Sequence, residues 1–152
     1  MANVKKIPDG YQTVTPSLNL KGAAEAIQFY QDAFGAEEQR GRAPGPNGSI
    51  MHAELKLGNS MVMLADALMG PPTQASFHLY VEDADAWFQR ATRAGAEVVI
   101  AMHDAFWGDR YGVVSDRWGN RWGLATHRED VSPGEMQKRM AEMAKEWAAK
   151  QG

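Results

Sequence analysis

No cysteine occurs in the 152 residues, which excludes disulfides, thiol nucleophiles and cysteine-bound zinc. A basic excess is missing too. Sixteen Lys and Arg against 19 Asp and Glu leave a formal net charge of −3, without the basic stripe of a nucleic-acid binder. No apolar run reaches the roughly 18 residues of a membrane span. The opening MANVKKIPDGYQ has no apolar signal core. No P-loop, dinucleotide fingerprint or catalytic-triad motif is visible. These absences set the expectation of a cytoplasmic chain that engages neither nucleic acid nor membrane. What remains is ordinary for a globular protein: 44% hydrophobic and 23% charged residues, at a length that can bury one core.

Residues 108–127, GDRYGVVSDRWGNRWGLATH, carry the clearest local signal. They read as two strands joined by a turn over 116–120, where Gly119-Asn120 tolerates positive φ. The end of this stretch, GNRWGLA, echoes GNSMVMLA, which begins 61 positions earlier at Gly58. Two further echoes keep nearly that spacing. LNLKGAAEAIQ from Leu18 matches LYVEDADAWFQ from Leu79, and Phe34-Gly-Ala-Glu matches Ala94-Gly-Ala-Glu. Three echoes in register indicate a duplicated unit.

Each unit shows the same order of patterns. Residues 13–21 alternate as a strand, with Pro16 marking an edge or a beginning. Residues 22–34 take a helical period through Ala23, Ile27, Tyr30 and Phe34, ended by Gly35. Residues 40–49 read as a loop, 50–57 as a strand with His52 and Glu54 on one face, and 60–66 as its hairpin partner. After a loop over 67–74, a strand over 76–81 restarts the series. Asp83 is an N-cap, Gly95 closes a second helix, a strand spans 97–102, and 103–109 is a loop. The tail, 132–150, is a helix with Ser132 as N-cap, Pro133 at N1 and Glu135 at N3. Its stripe of Met136, Met140, Met143 and Trp147 is expected to pack on the domain or on a second subunit.

With TVTPSLNL, GAAEAIQFYQDAFGAEE, IMHAELKLGNSMVMLAD and FWGDRYGVVSDRWGNRWGLATHREDVSP, the chain resembles the vicinal oxygen chelate superfamily. The nearest likeness is to its glyoxalase/bleomycin-resistance, PhnB-like branch. The resemblance implies an α+β fold of two βαβββ modules, about 12–66 and 76–127, in one domain with a C-terminal helix. Each curved sheet would line half of a cavity. Homodimers are implied as well, because such cavities are often completed by a second subunit.

Metal-dependent members hold a divalent ion with four side chains, two from each module. By strand position those places fall on Thr15, Met63, Ser76 and Gly123. A hydroxyl, a thioether, another hydroxyl and a bare glycine are poor ligands, so neither metal nor other cofactor is expected at the usual place. The cavity would instead bind a small molecule through Thr15, Ser17, Met63, Ser76, Arg110 and Arg121, with Trp107, Tyr111, Trp118 and Phe106 as a stacking wall. Trp122 and Leu124 are assigned to the core.

His52, Glu54 and His78 are candidates for catalysis. They are expected to face one cavity, where Glu54, raised by desolvation, would abstract a proton. A divalent ion relocated to these three residues is the other possibility. An ion pair of Glu54 with Arg110 or Arg121 is the structural alternative. Two functions follow: a binder that sequesters a small organic ligand, or a lyase or isomerase. A scaffold assembled through the methionine-rich tail is a third.

Overall fold

The computed structural model of the chain describes residues 4–152. Strands β1 (Ser17–Leu20), β2 (Glu37–Pro44), β3 (Ile50–Leu57) and β4 (Ser60–Asp66) form one sheet in the order β1-β4-β3-β2. Strands β5 (Ser76–Tyr80), β6 (Glu97–Asp104), β7 (Asp109–Ser115) and β8 (Arg121–His127) form a second, in the order β5-β8-β7-β6. In each sheet the first and last strands run parallel and the other pairs antiparallel. Helix α1 (Ala23–Phe34) follows β1 and α2 (Ala84–Arg93) follows β5, so the duplicated pattern is a duplicated βαβββ topology. The two sheets do not close on each other. Helix α3 (Pro133–Lys150) completes the α+β fold.

Alternation decides which face each strand buries. Leu18 and Leu20 are buried while Ser17 and Asn19 are exposed. Ala53, Leu55, Leu57, Val62 and Leu64 continue that buried face, and Trp122, Leu124 and Val114 form its counterpart in the second sheet. Both helices cover these faces and meet each other, giving one shared cluster. Aromatic rings connect its halves. Trp122 stacks on Phe77 at 4.5 Å and packs against Phe34 at 4.8 Å and Tyr30 at 5.1 Å.

A buried polar node crosses the same boundary. Asp116, 5% exposed, accepts hydrogen bonds from the Tyr30 hydroxyl at 2.7 Å and from Trp122 Nε1 at 2.9 Å. It also accepts from the backbone N–H groups of Trp118 and Asn120. Burial, then the Asp116 charge and its hydrogen bond, push the Tyr30 phenol far above its ordinary value. Arg90 on α2 adds a second tie by donating to the carbonyls of Asp32 and Gln31 at the end of α1.

Several boundaries differ from those expected. The first strand covers only Ser17–Leu20, because Pro16 gives its carbonyl to Met63 N–H at 2.8 Å but has no N–H of its own. The expected loop over 40–49 is shorter. β2 runs on to Pro44 through an irregular stretch in which Arg40 and Gly41 take φ of 55° and 77°. β6 likewise extends to Asp104. At the start of β3, Ile50 is buried and Met51 exposed, the reverse of the strict alternation. Gly119 has the left-handed φ of 85°, but Asn120 does not; its side chain is buried and bonded to Ala75 N–H. In α3, Ser132 caps as expected, its hydroxyl accepting from Glu135 N–H at 3.3 Å. Past the half-buried Met136, the α3 stripe does not pack on the domain: Met140, Met143 and Trp147 are exposed.

Candidate functional site

A cleft of about 1120 Å³ separates the modules. One wall is the segment carrying Gln12 and Thr15 together with the β3–β4 turn; the other is β5 and the end of β8. Because β5 is an edge strand, both of its faces reach this space. Phe77, Trp87 and Trp122 give an apolar floor, while His78, Tyr80 and His127 supply polar groups. The volume slightly exceeds the roughly 300–1,000 Å³ usual for drug-sized ligands, and the mixture of aromatic floor and few polar groups is typical.

The polar wall is held by Asp109, whose side chain is 1% exposed. Its Oδ2 accepts from Trp107 Nε1 at 2.7 Å and from the Tyr80 hydroxyl at 3.0 Å. Its Oδ1 lies 2.8 Å from His127 Nδ1, and His127 Nε2 lies 2.9 Å from Asp130. Burial is the largest influence on Asp109 and pushes its carboxyl up. The donors His127, Trp107 and Tyr80, with the His127 charge, outweigh it and leave Asp109 below its ordinary value. The hydrogen bonds to Asp130 and then Asp109 hold His127 above its ordinary value. The two carboxylates therefore favour the imidazolium form of His127 over the neutral ring.

The register explains the usual metal place. His78 pairs with Gly123 and Gly123 with Val113, whereas Ser76 lies beside Arg121. In the first sheet the matching neighbour of Met63 is Ser17 rather than Thr15. A Cβ at Gly123 would meet Tyr111 Cε2 at 3.1 Å and the Tyr111 hydroxyl at 3.3 Å. Tyr111 therefore lies over the glycine and stacks on His78 at 5.4 Å. Ser17, Met63, His78 and Gly123 offer one hydroxyl, one thioether and one imidazole beneath a phenolic ring, a set that does not fit a divalent ion.

The three proposed catalytic residues are not brought together within the chain. His78 is in the cleft, while Glu54 faces a second pocket of about 460 Å³ shared with Tyr11, Arg40 and Met63. His52 Nε2 lies 3.2 Å from Glu54. Among the described residues no group of three or more His, Asp or Glu side chains is arranged to hold a metal ion. Glu54 differs from the expected raised base. The Tyr11 hydroxyl is the largest influence; burial opposes it, and His52 and Arg40 assist, so the carboxyl is lowered. Its ion partner is Arg40 at 3.9 Å, not Arg110 or Arg121. Tyr11 is pushed up to about 12 by burial and by Glu54.

Of the expected binding residues, Thr15 lines both pockets and Met63 the second. Ser17 and Ser76 are exposed strand residues, and Arg121 is exposed at the start of β8. Arg110 turns away to Asp85 on α2 at 3.0 Å and to Asp104. The expected aromatic wall is divided. Phe106, Trp107 and Tyr111 pack in sequence on the second sheet. Trp118 instead packs on Phe29 and Tyr30 of α1 and donates to Lys21 O at 2.8 Å. Tyr80, Asp109 and His127 were missed as a group. Tyr80 carried the one available signal, since it is two residues from His78 on the same strand face.

The family model for the Glyoxalase/Bleomycin resistance protein/Dioxygenase superfamily matches residues 13–124. The uncharacterized protein Rv0887c of Mycobacterium tuberculosis is 44% identical over 140 residues, covering 84% of this chain and 82% of that one. Among solved structures, TioX from Micromonospora sp. ML1 superposes with a TM-score of 0.67 at 28% identity, covering 76% of this chain and 98% of its own. TnmS3, an antibiotic binding protein from Streptomyces sp. CB03234, gives a TM-score of 0.61 at 23% identity, covering 84% and 98%.

Proposed function

The chain belongs to the glyoxalase/bleomycin resistance protein/dioxygenase superfamily, and from that premise we propose that it binds and sequesters a small organic ligand in the intermodule cleft. The observation that carries this reading is the cleft itself, with the aromatic floor of Phe77, Trp87 and Trp122 under a polar wall. Flat apolar surface would stack on the floor, and one or two polar groups would meet His78, Tyr80 or Thr15. TnmS3 shows that the fold can serve an antibiotic; at 23% identity it carries the fold and no choice of ligand. The donor set at Ser17, Met63, His78 and Gly123 supports binding without the family's metal chemistry. Placement in the PhnB-like branch and assembly as a homodimer are parts of the same proposal.

Titration with flat aromatic compounds tests the reading. Saturable quenching of tryptophan emission is expected in the native chain and should weaken in Thr15→Phe, which narrows the cleft from the wall opposite β5. Absence of any saturable ligand, together with no small molecule retained in native mass spectrometry, would sink it. The lyase or isomerase alternative retains His78 as its one base in the cleft from the original three candidates. Conversion of a bound compound on incubation, lost in His78→Gln, would favour that alternative over sequestration.

A further inference from the structure

The second pocket, of about 460 Å³, lies between the N-terminal segment and the first sheet, away from the aromatic floor of the cleft. Strand register assembles its base. Glu54 on β3 pairs with Met63 on β4 and with Gln39 on β2, and Arg40 follows Gln39 at the irregular turn of that strand. Lys6, Ile7, Pro8 and Tyr11 supply the opposite wall. Two polar atoms here are buried without a hydrogen-bond partner among the described residues: Glu54 Oε2 and the Tyr11 hydroxyl. A buried carboxylate oxygen in that condition is costly. Arg40 does not satisfy it, because its Nε stays 3.9 Å away on a side chain that is 65% exposed. Glu54 is lowered and Tyr11 raised to about 12, so near neutral pH one is a carboxylate and the other a neutral phenol.

We propose that this pocket is a second binding site, separate from the cleft, for a free α-amino acid with an apolar side chain. Its ammonium donates to Glu54 Oε2 and to the Tyr11 oxygen, its carboxylate meets Arg40 and Lys6, and its side chain lies on Ile7, Pro8 and Met63. Charge order decides against simpler ligands. A plain amine would satisfy Glu54 but face Arg40 and Lys6 with no anion to offset them. A plain carboxylate would suit those two cations and leave Glu54 Oε2 unpaired beside a second anion. An α-amino acid carries its opposite charges one carbon apart. Inserted beside the long Glu54–Arg40 pair, it closes a ring of four alternating charges with charge-assisted hydrogen bonds. The exposure of Arg40 leaves that side chain free to follow the ligand. A lone water bridging Glu54 and Tyr11 is the competing explanation of the two unpaired atoms.

Titration calorimetry of the native chain with L-leucine, butylamine and valerate separates these cases. L-leucine is expected to bind at least about tenfold more tightly than either single-charge compound, the worth of one well-made polar contact. Glu54→Gln and Arg40→Gln should each weaken it by about tenfold or more. Lys56→Gln, on the same strand as Glu54 but outside the pocket, should not. Tyr11→Phe removes only the hydroxyl and gives an independent loss of affinity should Glu54→Gln fold poorly. Butylamine binding as tightly as L-leucine overturns the roles of Arg40 and Lys6, and valerate doing so overturns that of Glu54. Failure of L-leucine, L-methionine and L-valine alike to bind overturns the site and leaves the bridging water. Tryptophan quenching by a cleft ligand should persist in Glu54→Gln; its loss there would merge the two sites and overturn their separation. A native chain that binds L-leucine but no flat aromatic compound would end the cleft reading and leave this one standing.

Discussion

Asp109 and His127 show how single residues set the chemistry of the cleft wall. The imidazole is raised, so its contribution to stability is complete below its ordinary pKa of about 6.5 and is lost as pH rises through the folded value. The carboxyl is lowered, so its contribution is present above about 3.9 and is lost as pH falls through the folded value. Both favour folding together only between these limits. His127→Gln is therefore expected to lower Tm most between about pH 4.5 and 6.5, with the gap to the native chain closing at alkaline pH. Scanning calorimetry across pH checks this; a gap of constant size would exclude the charge pair as its cause. Little of this wall was legible in the sequence. His127 is 49 positions from His78 and ends a strand, and nothing local shows that Asp109 accepts from three side chains. His78 was legible because strand alternation alone places it opposite the half-buried Phe77 and Leu79.

At the level of elements, β4 starts the helix that precedes it in the chain. Gly22 sits at the α1 N-cap with φ of 88° and offers no side chain. Asp66, at the end of β4, supplies the missing acceptor: its Oδ1 takes the N–H groups of Gly22 and Ala23, both at 2.9 Å. Its Oδ2 takes Ile50 N–H at 2.7 Å, which also explains why Ile50 turns inward against the alternation of β3. Burial pushes Asp66 up most strongly, yet the three backbone donors leave it lowered. Asp66→Ala is expected to cost about 2–4 kcal/mol, since charge-assisted bonds of this kind contribute about 1.5–3 kcal/mol each and water recovers part of the loss. Urea unfolding measures it, and a cost below 1 kcal/mol would mean that α1 is capped by water. The helices and hairpins were readable from period and turn residues. This cap was not, because it spans 43 and 44 positions. The irregular turn of β2 at Arg40 and Gly41 escaped for a related reason: its Gly and Pro content gives the same signal as a loop.

For the whole molecule, the important boundary lies between two modules of similar build. Each holds about sixty residues, a size at which a lone core is marginal, and the helical faces of both enter one aromatic cluster. Duplication was visible in the sequence as three echoes, and it showed that both modules repeat one order of elements. It gave no sign of how the copies meet, because the joining residues are those in which they differ. Tyr30 aligns with Ala91 at the offset of 61, and the two-residue turn at Gly58-Asn59 is replaced by a longer one carrying Asp116. That replacement couples the modules. Removing the Asp116 carboxylate leaves the Tyr30 hydroxyl and Trp122 Nε1 without their acceptor inside the shared core. At about 1–3 kcal/mol for each orphaned donor, Asp116→Ala should destabilise the chain by about 2–6 kcal/mol. Tyr30→Phe should lose part of its own cost in that background, since both changes act on one network. If the modules form one domain, tryptophan emission and far-UV circular dichroism will follow a single urea transition in the native chain and shift together in Asp116→Ala. Two separated transitions in the native chain would instead show modules that fold independently, with Asp116 acting as a local brace on the second.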